Sequence, residues 1–260
     1  MRAGGRLRKA VEGGYNPAVQ PAGIDSHFWW QSVPFRGPAA FLLRAERYIS
    51  TMDCGAEELA CLAALYGTDK GTSPAGSLIP KNYTEHYARL FHPFIDEPFG
   101  LLEIGVKRGA SLRMWKAFLP KAHIFGIDID PAAKAHEESR IRIAIGSQND
   151  AAFLSETTSD ICTLCAVIDD GSHVDTDQLI ALNTLFPFLE PGGFYAIEDL
   201  HVQGHGKYGR RTLDCLLDVL AWLSNDTYPV QASRWMNSVL PQIAGLEMHR
   251  GLAVLHKALV

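Results

Sequence analysis

Asp170 closes the run Ala166-Val167-Ile168-Asp169-Asp170, ahead of Gly171-Ser172-His173, and Glu198 with Asp199 closes another, Gly193-Phe194-Tyr195-Ala196-Ile197-Glu198-Asp199. If the two runs are neighbouring strands of a parallel sheet, the three carboxylates converge at its carboxyl edge, where open α/β sheets bind ligands. Carboxylates packed together repel one another unless a cation neutralises them, and an all-oxygen set suits Mg2+, Ca2+ or Mn2+ better than a softer metal. With a glycine-bearing turn at Gly105 to Gly109 upstream, the pattern points to a metal-assisted transferase.

Positioning these residues requires a regular alternation of elements. The patterning predicts strands at Leu101–Val106, His123–Ile129, Ile141–Gly146, Ala166–Asp170 and Gly193–Asp199. Helical spacing falls between and before them, at Pro38–Ser50, Ala56–Tyr66, 83–91, Ser111–Leu119, Pro131–Ser139, Asp175–Leu189 and 212–224. Asp130-Pro131 supplies a cap followed by proline in the first turn. Strands alternating with helices imply right-handed βαβ units. The expected fold is therefore α/β: a doubly wound, mostly parallel, Rossmann-like sheet with an N-terminal helical extension. The tail reads as two short strands, Leu246–His249 and Ala253–Lys257, around Arg250-Gly251, a C-terminal antiparallel hairpin on the sheet edge. Residues 1–55 are expected to form an arm and helix, with Phe28, Trp29, Trp30 and Phe35 packing on something, and 56–260 the catalytic domain.

Composition narrows the partners. The 260 residues are 47% hydrophobic and 20% charged, with 24 Lys+Arg against 29 Asp+Glu and a formal charge of -5. No basic run follows a phosphate backbone, so nucleic acid is not an expected partner. No stretch approaches the roughly 20 apolar residues of a membrane span, and no apolar signal-peptide core follows the amino terminus. The expectation is a cytoplasmic protein. Five cysteines, including Cys162-x-x-Cys165, are read as reduced core thiols rather than a disulfide framework or zinc site.

Three strand ends in succession carry groups suited to an adenosine. Glu103-Ile104-Gly105 breaks into the glycine turn and a helix, whose first N–H groups are free. Asp128, in Gly126-Ile127-Asp128, is placed to accept from ribose hydroxyls. Ser147 and Gln148 follow the third strand, where polar groups meet an adenine edge. Taken singly, each is explained as well by glycine packing or by an aspartate helix cap.

The succession LLEIGVKRGAS, FGIDIDP, IGSQND, VIDDGSH and PGGFYAIEDL, preceded by LYGTDKG and KNYTEHYARLF, resembles the metal-dependent class I S-adenosylmethionine methyltransferases of antibiotic biosynthesis. It is most similar to the macrocin and mycinamicin type, which methylates sugar hydroxyls of macrolides and related glycosides. The resemblance covers about residues 60–201 strongly. It implies that Glu103, Gly105 and Ser111 bind the methionine part of S-adenosylmethionine, Asp128 the ribose, and Ser147 with Gln148 the adenine. It further implies that Asp170, Glu198 and Asp199 ligate Mg2+. Ser147 is a departure, since the family often carries an acidic residue there. The implied activity is O-methylation of a glycosylated natural product, by an enzyme expected to self-associate as a homo-oligomer.

In that setting His173, three residues after Asp170, is the expected general base, with a role behind the metal ligands or as a helix cap the structural alternative. Asp169 is expected to make structural hydrogen bonds, and the strand is expected to end before Glu198-Asp199. Asp69 and Lys70 either close over the cofactor carboxylate or form a plain helix-linking turn, and His201 to Gly209 read as a substrate lid. Two other readings share the scaffold: a cephalosporin-hydroxylase-like enzyme, and a non-catalytic cofactor-binding assembly partner.

Overall fold

Leu101-Leu102 and Ala166-Val167-Ile168 are apolar at every position, the composition of strands covered on both faces, and they become the two central strands. The computed structural model describes residues 55–71, 81–201, 211–224 and 238–259, all within one compact unit spanning Gly37–Val260. Its strands are β1 (Gly100–Ile104), β2 (His123–Asp128), β3 (Ile141–Ile145), β4 (Leu164–Asp169), β5 (Phe194–Ile197), β6 (Ile243–His249) and β7 (Leu252–Lys257). They form one sheet in the order β3-β2-β1-β4-β5-β7-β6. The first five are parallel, and β7 and β6 add an antiparallel hairpin. This is the doubly wound sheet with a terminal hairpin that the patterning predicts.

The helices are α1 (Ala56–Tyr66), α2 (Tyr83–Phe91), α3 (Ala110–Phe118), α4 (Ala151–Ser159), α5 (Asp175–Leu185) and α6 (Thr212–Ser224). Alternate residues of the central strands feed two cores. Leu101, Ala166 and Ile168 pack with Tyr87, Phe91 and Trp115 on one face. Leu102, Val167 and Tyr195 pack with Leu179 and Leu182 on the other. On the first face the Trp115 ring meets Tyr87 edge-on at 5.1 Å and lies 5.3 Å from Phe91, which locks α2 and α3 together across the strand ends.

Local differences from the sequence reading have physical causes. Pro131–Ser139 is a 3-10 turn, Pro131–His136, rather than a longer helix. The chain must return at once into β3, and Glu137 accepts a hydrogen bond from the Ile143 N–H at 2.8 Å. Helix α4 was not expected, because its Ser and Thr residues blur the period; Asp150 caps it by accepting from the Ala152 and Phe153 N–H groups at 3.1 Å. Cys165 is buried, but Cys61 and Cys162 are exposed, so the thiols are not uniformly core residues. The helix expected at Pro38–Ser50, the amino-terminal arm and most of the expected lid lie outside the described residues. Among the described residues no helix is long and apolar enough to cross a membrane.

Candidate active site

The sheet order reverses between β1 and β4, which opens a crevice at their carboxyl ends. Gly105 follows β1 with φ 93°, and a Cβ there would lie 2.1 Å from the Asp170 carbonyl oxygen, so only glycine lets the two loops meet. The Val106 and Lys107 N–H groups both donate to Asp128 Oδ2 at 2.8 Å, and the Asp130 N–H donates to Asp128 Oδ1 at 2.9 Å. The carboxylate expected at the ribose thus also folds the glycine turn. A cavity of about 310 Å³ opens here, lined among others by Gly105, Asp128, Ser147, Gln148, Asp170 and Asp177.

Of the predicted cofactor residues, Gly105, Asp128, Ser147 and Gln148 line this cavity, whereas Glu103 and Ser111 do not. Ser147 is at its rim, where its hydroxyl donates to Asn149 Oδ1 at 2.9 Å. Gln148 is buried, and both ends of its amide are engaged: Nε2 donates to Asp169 Oδ1 at 3.2 Å and Oε1 accepts from the Ser172 N–H at 2.6 Å. Ser111 is buried at the start of α3. Glu103 is fully buried and accepts from the Trp115 indole N–H at 2.6 Å.

At the neighbouring strand ends the acidic residues do converge. Asp169 pairs with Ile197 across β4 and β5, so Asp170 and Glu198 leave the sheet side by side. Strand β5 ends at Ile197, and Asp199 has φ 55°, the break that lets consecutive carboxylates point apart. Asp170, His173 and Asp199 each offer a ligand atom, and these atoms all lie within 4.8 Å of one another. His173 Nε2 is 4.0 Å from Asp170 Oδ1, and its buried Nδ1 has no partner.

Glu198 turns inward. Its Oε1 accepts from Tyr87 at 2.6 Å and from Lys70 at 2.8 Å, whereas its buried Oε2 has no partner. Burial pushes the Glu198 carboxyl up to about 8, with Lys70 pulling against it. Burial alone would discharge Lys70, but Asp170, Glu103 and Glu198 hold its pKa well above the ordinary lysine value. Lys70 lies in the turn that follows α1, as one of the two expectations had it, but its side chain is a buried cation among carboxylates, and the neighbouring Asp69 accepts from Lys81 at 2.8 Å. Asp199 is held by Lys81 at 2.7 Å and Tyr83 at 3.1 Å. Asp169 is structural, as expected. It accepts from Gln148 and, at 3.2 Å, from Tyr195, and burial raises its pKa to about 6.

The sequence reading missed Lys81, Tyr83, Tyr87 and Trp115. A signal was present in Lys81-Asn82-Tyr83-Thr84-Glu85-His86-Tyr87, where the two tyrosines stand one helical turn apart. The donor set fits a hard divalent cation. Two of the three groups that meet, Asp170 and Asp199, are carboxylates, and a buried oxygen of the neighbouring Glu198 is unpartnered.

No protein-family profile matches the chain. It is 31% identical over 263 residues to the 8-demethyl-8-alpha-L-rhamnosyl tetracenomycin-C 2'-O-methyltransferase of Streptomyces olivaceus, covering 94% of this chain and 67% of the relative. Identity to the 8-demethyl-8-(2-methoxy-alpha-L-rhamnosyl)-tetracenomycin-C 3'-O-methyltransferase of the same organism is 32% over 277 residues, covering 96% and 69%. Among solved structures, the MycE methyltransferase from the mycinamycin biosynthetic pathway, in complex with Mg and SAH, superposes with a TM-score of 0.66 at 31% identity, over 77% of this chain and 53% of that one. The chain thus spans about two thirds of the tetracenomycin relatives and about half of the MycE chain.

Proposed function

Because the chain belongs to the family of sugar O-methyltransferases of antibiotic biosynthesis, we propose that it transfers the methyl group of S-adenosylmethionine to a sugar hydroxyl of a glycosylated natural product. The observation that carries this reading is the meeting of Asp170, His173 and Asp199 within 4.8 Å, next to the crevice between β1 and β4. Of its relatives, MycE is crystallised with Mg, SAH and mycinamycin VI.

In this reading Asp170 and Asp199 would hold Mg2+, and Glu198, its Oε1 already taken by Tyr87 and Lys70, would have its unpartnered Oε2 left to offer. A bound Mg2+ supplies Lewis acidity that lowers the pKa of a sugar hydroxyl. His173 accepts the hydroxyl proton, and the Asp170 carboxylate 4.0 Å from Nε2 stabilises the imidazolium that results. Gly105, Ser111 and Glu103 position the methionine part of the donor, Asp128 the ribose and Ser147 the adenine. Gln148, its amide already engaged, shapes the wall by holding the Ser172 N–H. What remains is in-line approach of oxygen to the methyl carbon, a matter of positioning. The same reading takes the enzyme as cytoplasmic and, from the aromatic residues Phe28, Trp29, Trp30 and Phe35, as a homo-oligomer, which light scattering checks.

The test is methyl transfer from S-adenosylmethionine to a panel of rhamnosylated polyketides and glycosylated macrolides, followed by mass spectrometry with and without a chelator. A one-methyl mass gain that disappears with chelator and returns with Mg2+ is expected. Thermal stabilisation by NAD but not by S-adenosylhomocysteine would defeat the reading.

A further inference from the structure

Lys70 is fully buried, and its ammonium lies 2.8 Å from Asp170 Oδ2, 2.8 Å from Glu198 Oε1 and 3.3 Å from Glu103 Oε1. The three oxygens belong to residues at the ends of adjacent strands, β4, β5 and β1. The ammonium donates to Asp170 Oδ2 and Glu198 Oε1, whereas Glu103 Oε1, which has no hydrogen-bond partner, faces it as an ion-pair contact. The contacts leave the opposite oxygens of two carboxylates free of Lys70: Asp170 Oδ1, which faces His173, and Glu198 Oε2, which has no partner. Lysine thus sits on one side of the acidic edge, and the other side is left for a second cation. Lys81 stands apart from this arrangement, bridging Asp69 at 2.8 Å and Asp199 at 2.7 Å.

We propose that Lys70 is a positioning residue that acts as the resident cation of this edge. It fixes Asp170 and Glu198 against each other before metal arrives, and it occupies the inner oxygens, Asp170 Oδ2 and Glu198 Oε1, that a second divalent ion would need, so that the site takes one ion and not two. This rests on the metal reading above and adds to it the residue that sets the stoichiometry. Removing the partner of buried charges is strongly destabilising. The effect of losing Lys70 is therefore read in the cation-free protein and in the number of ions bound, rather than in turnover.

The experiment compares wild type, Lys70→Met and Lys70→Met/Glu103→Gln by Mn2+ titration, counting bound ions by electron paramagnetic resonance, and by thermal unfolding with EDTA or Mn2+. Wild type should bind one Mn2+. Lys70→Met should lose roughly 10 °C of melting temperature in EDTA, recover most of it with Mn2+, and bind the ion at least about 10-fold tighter or take up a second. The double variant restores the charge balance and should return to one ion with a wild-type Mn2+ shift. Lys70→Met with the wild-type stoichiometry, affinity and shift would overturn the proposal, as would a double variant that behaves like the single one. So would Lys70→Met that stays insoluble when expressed and refolded with Mn2+. No Mn2+ binding by wild type removes the metal reading itself, a result distinct from binding that is indifferent to Lys70.

Discussion

Tyr87 and Glu198 are 111 positions apart in the chain, yet the Tyr87 hydroxyl donates to Glu198 Oε1 at 2.6 Å in the interior. One helical turn earlier on α2, Tyr83 donates to Asp199 Oδ1 at 3.1 Å and shares its hydroxyl with the Gly251 carbonyl of the β6–β7 turn. Two consecutive acidic residues are thus held apart by two tyrosines on one helix face. The site's geometry depends on how α2 packs over the strand ends, not on the acidic loop alone.

Tyr87→Phe keeps the ring contacts with Trp115 and deletes one hydrogen bond to a buried carboxyl group. Stability should fall by about 1.5–3 kcal/mol, measured by urea unfolding. An unchanged midpoint would mean that Lys70 alone suffices to hold Glu198.

His173→Ala should lower kcat by about 10²–10⁴-fold, while S-adenosylhomocysteine affinity, read by calorimetry, stays near the wild-type value. A parallel loss of cofactor affinity would assign His173 a structural role in the loop after β4.

Gly105→Ala adds a methyl group facing the Asp170 carbonyl at 2.1 Å, from a residue with φ 93°. Left-handed backbone strain and overpacking together should cost about 3 kcal/mol. The cofactor turn should also separate from the metal loop, so that S-adenosylhomocysteine no longer raises the melting temperature. A variant of wild-type stability that still binds the ligand would contradict the close approach.

Acidification should weaken the fold in two stages at the sheet edge. His86 stacks on His249 with ring centroids 3.7 Å apart. Burial and His249, helped by Arg89 and opposed by Glu85 and Glu247, keep its pKa below the ordinary histidine value. The unfolded chain then takes up the proton more readily, so stability is intact above about pH 6.5 and declines as the pH falls below it. Burial would raise Glu247, but His256 and Arg89 hold its carboxyl well below the usual range. Its contribution is present above about pH 4.3 and lost beneath that. Melting temperatures recorded from pH 8 to about pH 2 should show both stages, and His86→Phe should lose the upper one; an upper stage that survives the substitution would show that another group titrates there.

Much of the frame was legible because strands buried on both faces are apolar at every position, and helices between them repeat every three to four residues. Asp170, Glu198 and Asp199 could be placed at strand ends for that reason. Helix α4 was not legible, since its Ser and Thr residues dilute the periodic signal and only the Asp150 cap marks it. The inward turn of Glu198 was not legible either: whether a carboxylate faces solvent or a lysine depends on what packs against it.

Sequence alone determined which segments become strands, which carboxylates stand at their ends, and where glycine permits the turn beside them, since these follow from short-range periodicity and backbone sterics. Tertiary structure decided that Lys70, Tyr83 and Tyr87, from segments upstream of the sheet, reach those carboxylates: the buried ammonium holds Asp170 and Glu198 together, and Asp170, His173 and Asp199 meet within 4.8 Å. A hydrogen bond between residues more than a hundred positions apart leaves no local pattern; it exists only once the helices have closed over the strand ends.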